Sequence, residues 1–369
     1  MTSRERVIAA CSHRQPDRTP ADVWFRDDVM RKFMTFLHIA DVESLYRFLG
    51  ADFRTIGVKE SDPAYLAKTN GTLGDNVELT GERFIFHENG IFEDNWGVMR
   101  KNGSDGLYTE WISGPFVNAE SESALDDFPW PPISSIESQE SINKRVAEIR
   151  KSGDYAIRGS ISNPFKQAWQ MRGMENILCD MLINPDFVLN LMRRLGAYYT
   201  EMGIRLARAG VDMIGIVGDL ATQNSLLFSL DVYRKTIKPV LLDMISAFKK
   251  EKPDLLMFFH SDGCLDMIMD ELIDTGFQVI NPIQPECMDV FEVKRKYGER
   301  ITMHGTISIQ KLLPFGSVDD VHREVRKIID FCGKNGGLIV CPANLIQNDT
   351  PMENILALYE EINEGPLRQ

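Results

Sequence analysis

The chain runs Leu255-Leu256-Met257-Phe258-Phe259-His260-Ser261-Asp262-Gly263 in its second half, so five apolar residues are followed at once by polar ones. A short apolar run of this kind is typical of a strand buried on both faces, and the polar residues after it are typical of a loop. The pattern turns helical from about Leu265 to Asp274. Such a strand, loop and helix form the corner where α/β barrels and doubly wound sheets carry their chemistry. Alternatively, His260 only caps the next helix or satisfies the loop backbone.

Seven further runs predict strands, and the later ones are separated by helical segments such as 184–209, 231–250 and 318–333. Alternating strands and helices predict a parallel sheet, and eight strands in 369 residues favour a closed TIM (β/α)8 barrel. The other predicted strands are Ala21–Phe25, Phe53–Val58, Tyr155–Gly159, Asp212–Val217, Gln278–Asn281, Ile301–His304 and Gly337–Cys341.

Two additions to the barrel are predicted. Residues 2–15 have the pattern of a short helix that ends at Pro16, so an N-terminal helical extension precedes the first strand. Glu88-Asn89-Gly90 lies between two short aromatic-rich runs, 83–87 and 92–98, which is a hairpin signal. We therefore expect an antiparallel insertion at about 71–131 over one end of the barrel, within a single domain that spans residues 1–369.

The composition narrows the class of protein. The chain is 43% apolar and 26% charged, has no apolar run of about 20 residues, and begins without the apolar core of a secretory signal. These features predict a cytoplasmic protein without a membrane segment. Six scattered cysteines predict free thiols rather than disulfides. A net charge of −13 argues against nucleic acid as a partner.

Polar residues follow the predicted strands, and parallel closure would gather them at one mouth of the barrel. His260 and Asp262 could bind a metal together, or Asp262 could orient the imidazole for proton transfer, and their spacing does not choose between these roles. Each residue alone is more often a loop or cap residue, but the set predicts a functional site. Its members are Arg26, Arg158, Ser160, Asp219, Thr222, Gln223, His260, Asp262, Asn281, Gln284, His304, Thr306, Asn344 and Gln347.

Four motifs in order give the chain a family resemblance. They are Gly218-Asp219-Leu220-Ala221-Thr222-Gln223, His260-Ser261-Asp262-Gly263, Ile280-Asn281-Pro282-Ile283-Gln284-Pro285 and the close from Ile346 to Ile355. Together they resemble the uroporphyrinogen decarboxylase superfamily over most of the chain from about residue 150. The resemblance implies a TIM barrel with its site at the carboxyl ends of the strands.

One branch of that superfamily is disfavoured here. True uroporphyrinogen decarboxylases carry an Arg-Gln-Ala-Gly-Arg motif after the first strand, where it holds the substrate's carboxylates. This chain instead reads Phe25-Arg26-Asp27-Asp28-Val29-Met30-Arg31. Decarboxylation of uroporphyrinogen is therefore not the leading expectation.

The other large branch transfers methyl groups to or from corrinoid proteins, and its thiol-methylating members bind zinc through a His-x-Cys pair and a late Cys. His260 matches the histidine, but Asp262 stands at the first cysteine position and Asn344 near the last. A soft thiolate site is thus missing, which weakens the case for thiol activation by zinc. The resemblance then implies the demethylating role, in which an O-methyl or N-methyl donor gives its methyl group to cobalamin on a partner protein.

The leading hypothesis is thus a corrinoid-dependent methyltransferase. Its leaving group would need a proton or a metal ion, supplied by His260 and Asp262, which could also hold zinc. A homodimer is compatible with the sequence, which does not fix the oligomeric state. The rival hypotheses are a decarboxylase of a porphyrinogen-like or smaller carboxylated substrate and a non-catalytic barrel that binds a ligand. The expected catalytic residues are His260, Asp262 and Asp219, and the expected substrate contacts are Arg26, Arg158, Asn281, Gln284, His304 and Asn344.

Overall fold

The structure, a computed structural model, describes residues 1–59, 66–71, 84–103, 109–365 and 367. Its main feature is a curled sheet of seven parallel strands in the order β1-β6-β7-β8-β9-β10-β11, flanked by helices in the manner of a TIM barrel. The strands are β1 Phe53–Gly57, β6 Ala156–Ser162, β7 Met213–Val217, β8 Leu256–His260, β9 Val279–Asn281, β10 Thr302–His304 and β11 Leu338–Ile339. Seven of the eight predicted strands are therefore confirmed, with small shifts at their ends.

The prediction of a regular first strand at Ala21–Phe25 is wrong. This segment makes only single parallel bridges, Ala21 to Val340 and Phe25 to Ile346, although the amide of Asp52 also donates to the carbonyl of Ala21 at 2.9 Å. The segment therefore still joins the two edges of the sheet, β11 and β1. It stays irregular because the amide of Val23 donates to the carboxylate of the preceding Asp22, at 2.8 Å, instead of to a neighbouring strand.

The helices cover the outside of the sheet, and the predicted segments 184–209, 231–250 and 318–333 are confirmed as helical. The described residues also contain three short 3-10 turns and a π-helical turn, Tyr233–Ile237. The helices are α1 Ser3–Cys11, α2 Asp27–Phe36, α3 Val42–Phe48, α4 Ser123–Asp127, α5 Gln139–Ser152, α6 Pro164–Arg172, α7 Met174–Ile183, α8 Pro185–Arg208, α9 Leu230–Val232, α10 Lys238–Glu251, α11 Met269–Thr275, α12 Val290–Tyr297, α13 Leu312–Phe315, α14 Val318–Cys332 and α15 Met352–Ile362.

Helix α1 is the predicted N-terminal helix, and it closes the barrel at the end opposite to the site. A capping box between Thr2 and Glu5 starts the helix. Val7 and Cys11 join a buried apolar cluster with residues near the amino-terminal halves of the strands, such as Phe53 and Val279. This apolar cluster closes the end of the barrel opposite to the site, and Arg6 of the same helix adds a buried ion pair with Asp52, which directly precedes β1.

A second, antiparallel sheet lies in the predicted insertion, in the order β2-β3-β4-β5. The chain leaves the carboxyl end of β1 before this sheet and comes back to the same place after it. There, the amide of Glu137 donates to the carbonyl of Lys59 at 3.0 Å. The turn between β2 and β3 contains Asn89 with φ 58° and Gly90 with φ 72°, as an Asn-Gly hairpin signal predicts. Its strands are β2 Ile85–Phe86, β3 Ile91–Glu93, β4 Met99–Asn102 and β5 Thr109–Ser113.

Some predictions about the insertion fall on residues that the structure does not describe. Residues 72–83 and 104–108 lie outside the described part of the chain, including Arg83, the first residue of the predicted run 83–87. The assignment of residues 1–369 to one domain stays a prediction. Within the described ranges, no helix is long and apolar enough to cross a membrane. The six cysteines are free thiols, as predicted.

Candidate active site

Three neighbouring strands end in His260, Asn281 and His304, and sheet register places them side by side. His260 is the register partner of Asn281, and Met303 pairs with Ile280, so His304 lies next to Asn281 on the same face. His260 Nδ1 lies 2.5 Å from Asn281 Oδ1, and Asn281 Nδ2 lies 2.7 Å from His304 Nδ1. The three side chains are buried and form one continuous chain of hydrogen bonds inside the barrel.

Asp22 ends this chain on the inner side. His304 Nε2 lies 3.0 Å from Asp22 Oδ2, and the same oxygen accepts from Arg158 Nη1 at 2.7 Å and from the indole Nε1 of Trp24 at 2.9 Å. Asp22 is 4% exposed and Arg158 is 6% exposed, so each charge relies on the other. We name Asp22, His304, Asn281 and His260 the buried relay.

The pKa values of the inner groups fix their charge states. Burial alone would raise the pKa of Asp22, but the charge of Arg158 and the hydrogen bond from His304 hold it well below its ordinary value. Burial lowers the pKa of His304, and the carboxylate of Asp22 offsets this only in part. Asp22 is therefore ionised and His304 neutral at neutral pH.

The outer end of the relay meets two carboxylates at the mouth of the barrel. Asp219 Oδ1 accepts the amide hydrogen of Asp262 at 2.9 Å and lies 4.0 Å from His260 Nε2. Asp262 also accepts from Asn344 Nδ2 at 2.5 Å. Burial raises the pKa of Asp262 and the charge of Asp219 adds to this, while His260 opposes it. We name Asp219, His260 and Asp262 the mouth trio.

The loop after β8 is held so that Asp262 faces this mouth. Ser261 Oγ accepts the amide hydrogen of Leu220 at 2.9 Å, and Gln284 Oε1 accepts that of Gly263 at 3.0 Å. Gly263 has φ 94°, and a Cβ there would lie 2.3 Å from the carbonyl oxygen of Thr222. Only glycine fits this close approach between the loops after β7 and β8.

A cavity of about 1270 Å³ opens at this mouth. Of the predicted site residues, Arg26, Asp262, Gln284 and Asn344 line it, and so do Thr222, Gln223 and Gln347. Its wall also includes Phe25, Asp27, Asp28, Arg31, Ile309, Gln310, Leu345 and Asp349.

The other predicted substrate contacts lie deeper than the cavity wall. Arg158 belongs to the middle of β6, because that strand continues to Ser162, and its guanidinium lies 5.0–5.4 Å from the ring centroids of three aromatic residues. Asn281 and His304 are fully buried within the relay. Whether any of them contacts substrate stays a prediction.

Among the residues that the structure describes, two groups of side chains come close enough to hold a metal ion, and one of them is suited to it. Asp22, His304 and Cys341 form the inner group, but Asp22 is already paired with Arg158 and burial raises the pKa of Cys341 well above its ordinary value. The mouth trio offers one nitrogen and two carboxylate oxygens within 4.8 Å of one another, beside a cavity. These donors fit a divalent ion such as zinc, with positions left for a ligand.

Asp22 and Trp24 are the site residues that sequence reasoning missed. Ala21, Val23 and Phe25 belong to the outer apolar core, so the alternate residues Asp22 and Trp24 face inward. A single acidic residue within an apolar strand pattern was the available signal, since a buried carboxylate needs a partner.

Comparison with known proteins shows which family this chain is similar to. The family model described as uroporphyrinogen decarboxylase (URO-D) matches residues 84–365. The chain is 22% identical over 232 residues to uroporphyrinogen decarboxylase of Chlorobium phaeovibrioides, covering 60% of this chain and 61% of that protein. It is also 22% identical over 236 residues to the enzyme of Chlorobium limicola, covering 62% of each.

The chain thus spans about three fifths of the length of these curated relatives. Among solved structures, a methyltransferase from Methanosarcina mazei superposes with a TM-score of 0.67 at 16% identity, over 99% of each chain. At that identity the likeness establishes the fold alone. The extent of the family match nevertheless shows that the chain belongs to the uroporphyrinogen decarboxylase family.

Proposed function

We propose that this protein transfers a methyl group from an O-methyl or N-methyl small molecule to cobalamin carried by a partner protein. The observation that carries the proposal is the acidic character of the cavity, whose wall holds four aspartates and two arginines. A porphyrinogen with several carboxylates would meet net repulsion there, whereas a neutral or cationic methyl donor would not.

The mouth trio consists of hard donor atoms, which supports oxygen or nitrogen as the atom that loses the methyl group. Asp219, His260 and Asp262 provide carboxylate and imidazole donors and no thiolate. Zinc held by this trio would act as a Lewis acid towards the leaving atom. Thiol activation normally uses a softer set of ligands, so a thiol is a poorer candidate for the group exchanged here.

The reaction would be a displacement at the methyl carbon. Cob(I)alamin supplies an electron pair to form the cobalt–carbon bond, and the pair of the breaking carbon–oxygen or carbon–nitrogen bond goes to the leaving atom. That atom must gain a proton or an equivalent positive charge, because an alkoxide or phenoxide is a poor leaving group. Asp262, whose pKa is raised chiefly by burial, and His260 are the groups of this chain nearest to that task.

The size of the cavity supports a reaction with two bulky participants. Sites for one small molecule usually measure about 300–1000 Å³. The cavity of about 1270 Å³ exceeds this and opens to solvent between the loops after several strands. A small donor near Asp262 would leave room for the reactive face of a corrin presented by a partner.

The proposal is tested with purified protein, chemically reduced cob(I)alamin and a panel of aryl methyl ethers, aliphatic methyl ethers and N-methylated amines. Loss of the Co(I) absorption band together with release of the demethylated product is the expected result for at least one donor. Conversion of uroporphyrinogen to a less carboxylated porphyrinogen, with no methyl transfer from any donor, would instead establish the decarboxylase that the family's curated members suggest.

A further inference from the structure

We propose that Asp22 acts as a positioning residue: through His304 and Asn281 it holds His260 in the tautomer that carries its proton on Nδ1. The lone pair of His260 Nε2 then points at the mouth, towards Asp219 and Asp262. The site would thereby be prepared to accept a cation or a proton at Nε2 rather than to donate one on first encounter.

Asp22 determines which atoms of the relay donate hydrogen bonds and which accept them. An ionised carboxylate only accepts hydrogen bonds, so at 3.0 Å from Asp22 the Nε2 of His304 must be the donor. His304 is fully buried, and burial lowers its pKa, so the imidazole is neutral and its Nδ1 must accept.

The remaining two links are then determined. Asn281 is 2.7 Å from His304 through its Nδ2, which donates, and this leaves Oδ1 facing His260. An amide oxygen only accepts, so at 2.5 Å from it the Nδ1 of His260 must carry the hydrogen. A neutral His260 consequently has no hydrogen on Nε2.

The surroundings keep each member of the relay in place. Asp22 is fixed by Arg158 and Trp24, and the rings of Trp24 and His260 lie 5.5 Å apart. Gly305 makes room for Asn281, because a Cβ at that position would lie 2.4 Å from Asn281 Nδ2. A histidine ligand is commonly oriented by a hydrogen bond to its second nitrogen, and loss of that bond typically weakens metal binding about 10–100-fold.

The tautomer is measured directly by long-range proton–nitrogen correlation spectra of protein labelled in its histidine ring nitrogens. Spectra are recorded without metal or methyl donor, at a pH well above the ordinary histidine pKa of about 6.5. His260→Gln and His304→Gln variants assign the signals. We expect His260 protonated on Nδ1 and His304 on Nε2. Finding the His260 proton on Nε2 would overturn the proposal.

Variants of Asn281 test whether the relay imposes that tautomer. Asn281→Leu removes the acceptor, so His260 should populate both tautomers and the affinity for Zn²⁺ alone should fall about 10–100-fold. Asn281→Asp keeps an acceptor and should retain the tautomer. Thr302→Val is the matched control, because Thr302 lies on the same strand as His304 and is equally buried.

Wild-type behaviour of Asn281→Leu in both measurements contradicts the proposal. If circular dichroism shows that Asn281→Leu does not fold, the wild-type and Asn281→Asp spectra still decide the outcome. The tautomer and the Zn²⁺ affinity are both measured without a methyl donor. Absence of methyl transfer would therefore count against the proposed function but not against the tautomer proposal.

Discussion

The buried relay and the mouth trio share His260 but differ in how their polar atoms are satisfied. Inside the barrel, the links from Asp22 to His260 are hydrogen bonds of 2.5–3.0 Å, and donors alternate with acceptors. At the mouth, Asp219, Asp262 and the outer nitrogen of His260 all present acceptors, and the distance from His260 Nε2 to Asp219 Oδ1 is 4.0 Å. The links of the relay are thus all formed, whereas the mouth has an excess of negative charge and lone pairs.

This difference identifies where a ligand is needed. A cluster of acceptors is stabilised by a proton or a cation, and the raised pKa of Asp262, caused mainly by burial, points in the same direction. The relay needs no such addition. We therefore expect changes at the mouth to reduce activity with little effect on stability, and changes in the relay to reduce stability as well.

The largest expected effect on activity is at the shared residue. His260→Ala should fold normally yet lose about 10²–10⁴-fold in the rate of methyl transfer to cob(I)alamin, as is usual when a general acid or base is removed. Metal analysis of both proteins separates the two roles: bound zinc that is lost in the variant indicates a ligand, and an active metal-free enzyme indicates proton transfer. His322→Ala, at a helix surface beside Glu361, is the control. Unchanged turnover of His260→Ala would remove both roles.

The largest expected effect on stability is in the interior. Arg158→Met leaves the carboxylate of Asp22 buried without its cation, which typically costs about 3–5 kcal/mol of unfolding free energy. Urea denaturation monitored by circular dichroism measures the loss. Arg208→Met removes an arginine from an exposed ion pair with Glu251 and should cost much less. Equal losses in the two variants would show that Asp22 is not dependent on Arg158.

The sequence predicted the mouth better than the interior. The end of β8 and the positions after neighbouring strands are marked by polar residues that follow apolar runs, so the meeting of Asp219, His260 and Asp262 follows from parallel closure alone. The interior depends on facts that one sequence does not display. Arg158 was expected after a strand, but β6 runs on to Ser162 and turns that side chain inward.

The irregular segment at 21–25 was the other obstacle. A regular strand was expected there, with Arg26 after it as the functional residue. In the structure Arg26 does line the cavity, but Asp22 within the segment anchors the relay and also accepts from the amide of Val23. Local propensity cannot show that Asp22 turns inward, because the residues that hold its carboxylate there, Arg158 and His304, are distant in sequence.

A smaller effect is expected from a glycine that touches the relay. Gly305 has φ 71°, and Gly210 has a similar φ of 86° with nothing within 4 Å of an added Cβ. Both Gly→Ala changes should pay the left-handed backbone cost of about 1–2 kcal/mol. Only Gly305→Ala also pushes against Asn281, so it should lose more unfolding free energy and disturb the His260 tautomer. Equal losses would mean that Asn281 can move aside freely.

The smallest expected effect is on the pH dependence of stability, and it isolates His304. Burial lowers the pKa of His304 in the folded protein, whereas the unfolded chain has the ordinary value of 6.5. As the pH falls below 6.5, the unfolded chain therefore binds a proton that the folded protein does not, and stability decreases. Asp22, with its lowered pKa, contributes in the same direction only at more acidic pH, below its ordinary value of 3.8.

Urea denaturation at pH values on either side of 6.5 should thus show a smaller acid-induced loss in His304→Gln than in the wild type, whatever the variant's stability at neutral pH. His13, whose pKa is also lowered by burial, provides the comparison. Because His13 is only half-buried, His13→Gln should reduce the loss less. If the acid-induced loss is instead larger in His304→Gln than in the wild type, His304 is already protonated in the folded protein, and the relay must run in the opposite direction from Asn281 outward.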